Sequence, residues 1–227
     1  MAASLESIMN SITESVGGRL VTPDGTIDLV VIVCVGMCAF ALLISVLIDF
    51  FEFNNDTTMK GEKTKERKSV IATGTMLLFF IMLYLTLRTG TGTFAIDDIA
   101  YRIAVTMACI VVVLAGTVVN IKGRYDLGKN WANHIKIYGG HTLITTGMYR
   151  VVRHPLYASL IWIAFAASIA YQNWLGVLLT ATVFTPMMSY RARQEEELLS
   201  ERFKEYKEYM KRTPRFFPSV TRAWRRA

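Results

Sequence analysis

Residues 29–48 are 20 consecutive positions without a charge. A helix of that length covers the ~30 Å hydrocarbon core of a bilayer. This constrains the fold more than any other feature, because a spanning segment must satisfy its backbone N–H and C=O groups internally. Charge-free runs recur at 70–87 and 103–121. Two shorter ones, 156–171 and 174–190, are separated only by Gln172-Asn173. The 52% share of apolar residues and the mean hydropathy of +0.34 exceed those of an ordinary soluble domain. The expectation is an all-α integral membrane protein with about five transmembrane helices. The last two form a short helical hairpin, and a C-terminal amphipathic helix follows.

Charge placement predicts the orientation. Lys and Arg number 1 in 1–28, 5 in 49–68, 2 in 88–102, 6 in 122–155 and 11 in 189–227. Rich and poor segments alternate, so the N-terminus is expected outside or in the lumen and the C-terminus in the cytoplasm. The net charge of +7 is then explained by orientation and contact with anionic lipid, without nucleic acid as a partner. The cores of the three long runs hold no Asp, Glu, Lys, Arg or His. Proton-coupled carriers need such groups, so transport is disfavoured. Arg102, near a run end, is expected to snorkel to the interface. Cys34, Cys38 and Cys109 read as small packing residues, with no companions at metal-ligand spacing.

The chain reads as one membrane domain: an N-terminal segment 1–28, three spans over 29–121, a core over 122–218 and a basic tail 219–227. Leu5, Ile8, Met9, Ile12 and Val16 recur at helical spacing, which suggests an interfacial amphipathic helix. Residues 54–68 read as a polar cytoplasmic loop containing the sequon Asn55-Asp56-Thr57. Thr89-Gly90-Thr91-Gly92 reads as a turn. Leu198, Leu199, Phe203, Tyr206 and Tyr209 predict an amphipathic helix continuing the last span, ended by Pro214 and Pro218. Arg222, Trp224, Arg225 and Arg226 suit lipid headgroups.

Two polar clusters flank the apolar hairpin: 147–157, containing Tyr149, Arg153, His154, Pro155 and Tyr157, and 191–197, containing Arg191, Glu195 and Glu196. Folding the hairpin brings them to one membrane face. Arg191 and Glu195, four apart, share a helix face and can be a surface ion pair. Pro155 starts a helix well, so free N–H groups beside His154 offer an anion site, or simply a loop-to-helix junction. Tyr149 and Tyr157 fit either interface belt aromatics or rings that stack on a ligand.

In order along the chain come Leu127-Gly128, Trp131, 140–147 (Gly-His-Thr-Leu-Ile-Thr-Thr-Gly), Tyr149-Arg150, and 153–157 (Arg-His-Pro-Leu-Tyr). Arg191, Glu195-Glu196, Leu199, Phe203, Tyr206, Tyr209, Pro214 and Pro218 follow. Over residues 122–218 this resembles the isoprenylcysteine carboxyl methyltransferase family and its phospholipid methyltransferase relatives. The resemblance implies an S-adenosylmethionine-dependent methyltransferase whose cofactor lies in a cytoplasmic pocket capped by the C-terminal segment. By position it implies that His134, His141, Thr142, Leu143, Ile144, Tyr149, His154, Pro155, Leu156, Tyr157 and Glu195 line that pocket. Arg191 would face the lipophilic methyl acceptor as the catalytic residue. A carboxylate acceptor, such as a prenylcysteine, is already ionised at neutral pH. An amine or thiol would need a base, and Glu196 is the nearest candidate. Ser159 stands where the family often has glycine, and Phe203-Lys204 where it often has Phe-Gly. Two other readings compete: a sterol-reductase-like NADPH enzyme, whose signature has Asn-Tyr after Arg-His where this chain has Pro155, and a non-catalytic membrane protein.

Overall fold

The computed structural model of the chain describes residues 25–55, 63–67, 70–128, 135–138 and 142–218. The predicted N-terminal helix, most of the sequon, His134, His141 and the basic tail lie outside them.

The architecture is helical. Helices α1 (Gly25–Asn55), α2 (Val70–Thr89) and α3 (Ile99–Leu127) follow the three long apolar runs. Helix α4 (Pro155–Ala170) starts at the proline, with His154 as its N-cap. Next come α5 (Trp174–Leu179), a π-helical turn (Thr180–Phe184), α6 (Thr185–Arg202) and α7 (Tyr206–Arg212). A two-stranded antiparallel ribbon is added, β1 (Lys63–Arg67) on β2 (Ile135–Tyr138), which the sequence did not suggest. By length and composition, α1 over Ile27–Ser45 and all of α3 suffice to cross a bilayer; 78–89 and α4 are shorter apolar helices.

Small residues set the packing. Gly116 on α3 meets Ile163, and Gly123 meets Pro155 and Leu156, so α3 and α4 approach closely. Val31, Cys38, Cys109, Val113, Ala166 and Ala170 form an apolar seam between α1, α3 and α4. Cys38 and Cys109 are free thiols within it, as packing residues. A second core joins α2, α4 and the last long helix, with Phe79 and Phe184 stacked at 4.3 Å. On the outward faces Met37, Phe40, Val111 and Val118 are each more than 60% exposed. Side chains of that kind suit an apolar surrounding rather than water.

The hairpin forms at Gln172-Asn173, with Gln172 at φ +50°. Its turn docks on the 89–96 loop. Asn173 Nδ2 donates to the carbonyls of Thr86 and Thr91, and Phe94 N–H donates to Gln172 O at 2.8 Å. Thr89–Gly92 is thus a clamped turn. The hairpin's other end carries the polar clusters.

Two expectations are corrected. Arg102 does not snorkel: it is buried and pairs with Asp28 of α1. A charge at that depth is stabilised better by a fixed carboxylate than by stretching. The C-terminal amphipathic helix is not continuous with the last span, because α6 stops at Arg202 and turns through Phe203 before α7 begins. The break lets Tyr206 and Tyr209 fold back and bury their rings.

Candidate active site

Asp98 caps α3 at its start, and the helix delivers Asn120, Arg124 and Asp126 to the end that faces the clusters. Asp126 Oδ2 accepts the Met148 N–H at 2.7 Å. This fixes the turn that carries Tyr149, and Gly147 enters that turn at φ +58°. A Cβ there would also collide with the Asp126 carboxylate. Asn120 Nδ2 donates to Ser159 Oγ at 2.8 Å and to Leu156 O, holding the first turn of α4. Ser159, a departure from the family pattern, is therefore matched by a polar partner across the helix pair.

His154 is 4% exposed. Its Nε2 lies 3.1 Å from Glu196 Oε1 and its Nδ1 3.5 Å from Glu195 Oε2. Its ring stacks on Tyr157. Glu196 is surrounded: Arg153 Nε donates to Oε1 at 3.0 Å, Arg215 Nε to Oε1 at 3.1 Å and Arg215 Nη2 to Oε2 at 2.5 Å. Arg153 Nη1 also donates to the carbonyls of Met210 and Thr213. Beyond α7 the backbone runs alongside this point, with Arg153 N–H donating to Pro214 O and His154 N–H to Arg215 O. Tyr209 OH donates to Tyr149 O at 2.5 Å. The C-terminal segment is thereby stitched over the His-Pro junction.

These contacts set the charges. Burial works against the charged form of His154, but hydrogen bonds to Glu195 and Glu196 outweigh it and raise the pKa. Burial likewise opposes charge on Glu196, yet His154, Arg215 and Arg153 hold it down to about 2. On Glu195, burial is outweighed by His154, the Tyr157 hydroxyl and Arg191, and the pKa falls. Burial and the charge of Glu195 push the Tyr149 phenol well up, so it stays protonated.

Glu196 therefore does not fit the base role allowed for it in the sequence, being fully engaged by cations. Glu195 differs, keeping 35% of its side chain accessible. Arg191 sits one turn earlier with its guanidinium carbon 5.9 Å from the Tyr157 ring centroid. It is 9% exposed, and its Nε–H is buried without a hydrogen-bond partner. The two make no direct ion pair among the described residues; both lean on Tyr157, and Glu195 also on His154.

The sequence profile of the isoprenylcysteine carboxyl methyltransferase (ICMT) family matches residues 107–201. Over that segment the chain is similar to the ICMT family. The matched segment includes most of α3 and nearly all of α6, hence both walls of the site. The nickel-cobalt-cadmium resistance protein NccN of Alcaligenes xylosoxydans xylosoxydans is 35% identical over 97 residues, 42% of this chain and 45% of that protein. The cobalt-zinc-cadmium resistance protein CzcN of Cupriavidus metallidurans is 31% identical over 96 residues, 42% and 44%. The protein-S-isoprenylcysteine O-methyltransferase of Saccharomyces cerevisiae is 29% identical over 115 residues, 49% and 48%. The chain spans about half the length of these relatives.

Of the positions expected to line the ICMT-like site, Tyr149, His154, Tyr157, Arg191 and Glu195 come together. Pro155 and Leu156 turn toward Gly123 on α3, acting as packing that sets the helix start. Thr142, Leu143 and Ile144 precede the Gly147 turn without regular secondary structure. The sequence reading missed Arg153, Arg215, Asp126 and Tyr209 as structural partners. Arg153, directly before the His-Pro pair, carried a signal; Arg215 and Asp126 did not, since only the fold brings them close.

Proposed function

We propose that the chain is an integral-membrane, S-adenosylmethionine-dependent methyltransferase acting on a lipophilic carboxylate at the cytoplasmic membrane face. The observation that carries this reading is the pairing of a buried, partner-seeking Arg191 with a partly open Glu195 one turn away, both against Tyr157. The five-span topology, the single membrane domain and the N-outside orientation belong to the same proposal. They are supported by the alternation of Lys and Arg along the chain. The methyltransferase name of the yeast relative supports the reaction class.

The residues present fit the cofactor. An ionised Glu195 between tyrosine rings suits a cationic, hydroxyl-bearing ligand. S-adenosylmethionine, when bound, supplies an electrophilic methyl group on a sulfonium. Tyr149, Tyr157 and Glu195 would hold and orient it. His154, whose ring nitrogens both face carboxylates, fixes Glu195 rather than touching the ligand. Arg191 grips the acceptor carboxylate by a bidentate contact and aims one oxygen at the methyl carbon. The cofactor would supply the methyl group to that oxygen, its sulfur keeping the electron pair, and an already ionised carboxylate would need no base. The segment stitched over the junction excludes water.

The test is a split of two affinities in purified protein. Glu195→Ala weakens S-adenosylhomocysteine binding, whereas Arg191→Ala spares it and abolishes turnover of a farnesylcysteine acceptor. Equal loss of cofactor affinity in both variants refutes the division of roles. Binding of only a reduced nicotinamide nucleotide refutes the function itself.

A further inference from the structure

Arg124, near the end of α3, is a guanidinium to which the reaction proposed above gives no role. Its neighbour Gly123 packs on Pro155 and Leu156, so Arg124 stands level with the start of α4. It is half-buried, and its Nε donates to Asn120 Oδ1 at 3.0 Å. Asn120 is 1% exposed and is pinned through its Nδ2 by Leu156 O and Ser159 Oγ, which holds the guanidinium in place. Two residues on, Asp126 fixes the turn that carries Tyr149. Burial pushes the Tyr149 phenol up, Glu195 adds to this, and Arg124 works the other way. Glu195 and Arg124 therefore act on one ring with opposite sign.

S-adenosylmethionine ends in an amino acid, with an ammonium and a carboxylate on one carbon. Glu195 suits the cationic and hydroxyl groups of such a ligand, and the carboxylate needs a cation. Arg153 and Arg215 are engaged by Glu196, and His154 by both glutamates. Arg191 is assigned to the acceptor. We propose that Arg124 holds the carboxylate of the cofactor, so that Glu195 and Arg124 together match its zwitterionic end beside Tyr149. A planar guanidinium meets a carboxylate through two parallel hydrogen bonds. With Nε on Asn120, the edge formed by Nη1 and Nη2 is the one that makes this pairing. The inference rests on the cofactor proposed above.

The experiment measures binding of S-adenosylhomocysteine and of its decarboxylated analogue to the unmodified full chain, Arg124→Met and Arg124→Lys, by calorimetry in detergent. The unmodified chain is expected to bind S-adenosylhomocysteine about tenfold to a hundredfold more tightly, the factor that goes with one charge-assisted hydrogen bond. Arg124→Met brings the two affinities together by weakening S-adenosylhomocysteine alone. Arg124→Lys, which keeps the charge and loses the fork, retains part of the preference. Affinity for the decarboxylated analogue stays the same in all three proteins, which a merely structural role for Arg124 would not give. Three results overturn the proposal and leave the cofactor reading standing: a ratio near one in the unmodified chain, a ratio that Arg124→Met leaves unchanged, or an equal loss of both compounds in Arg124→Met. If the unmodified chain binds neither compound, the cofactor reading fails and the role of Arg124 with it.

Discussion

Two guanidiniums and one imidazole converge on Glu196, and that convergence makes strong demands on single residues. Removing the carboxylate leaves Arg153 buried without its counter-charge and His154 with Glu195 alone. Glu196→Ala is therefore expected to destabilise the protein by about 3–5 kcal/mol, read as thermal unfolding in detergent. Glu196→Gln keeps the shape and some hydrogen bonds, so it falls between. The same cluster fixes the pH response. The lowered pKa of Glu196 contributes stability that is complete above its ordinary 4.5 and lost as pH falls toward about 2. The raised pKa of His154 contributes stability that is complete below 6.5 and lost as pH rises through the folded value. Unfolding temperature against pH should thus decline on both sides of a plateau. In His154→Gln the alkaline decline disappears; its persistence there would assign the decline to another group.

At the scale of elements, the last long helix depends on the π turn that precedes Pro186. A proline at the second position of α6 cannot donate, and the wide turn absorbs this, with Thr185 Oγ1 bonding Thr180 O at 2.9 Å. An inserted residue rotates everything downstream, so the direction in which Arg191 and Glu195 face depends on it. Pro186→Ala is expected to leave helix content intact while lowering turnover, measured by circular dichroism alongside methyl transfer. Gly147→Ala strains a left-handed backbone and strikes Asp126, costing about 1–3 kcal/mol. Apolar run length disclosed the helices, and Pro155 disclosed the start of α4. The polar clusters disclosed Arg191, Glu195 and His154, because helical spacing and the short hairpin alone bring them close. The ribbon β1–β2 was hidden, since its strands lie about 70 residues apart and pair through backbone groups. The π turn was signalled by Pro186 within an apolar run, a mark the hydropathy pattern conceals.

The molecule as a whole has two polar ends joined by an apolar bundle. One end is tied by Asn173 to the 86–91 loop, the other by the Glu196 cluster. Near the first end, Arg102 and Asp28 tie α3 to α1. Breaking that pair from one side, as in Asp28→Ala, removes the carboxylate from a buried cation and is expected to cost about 3–5 kcal/mol. The double variant Asp28→Ala/Arg102→Leu should recover much of that loss, which a double-mutant cycle of unfolding free energies measures. The second end has a consequence in time. A chain leaves the ribosome at ~5–20 residues per second, and its apolar segments enter the membrane as they emerge. Arg215 and Tyr209, which hold the junction at Arg153 and Tyr149 closed, are made after every apolar helix of the bundle. All of these apolar helices can thus be in place before the segment that closes the junction has been made.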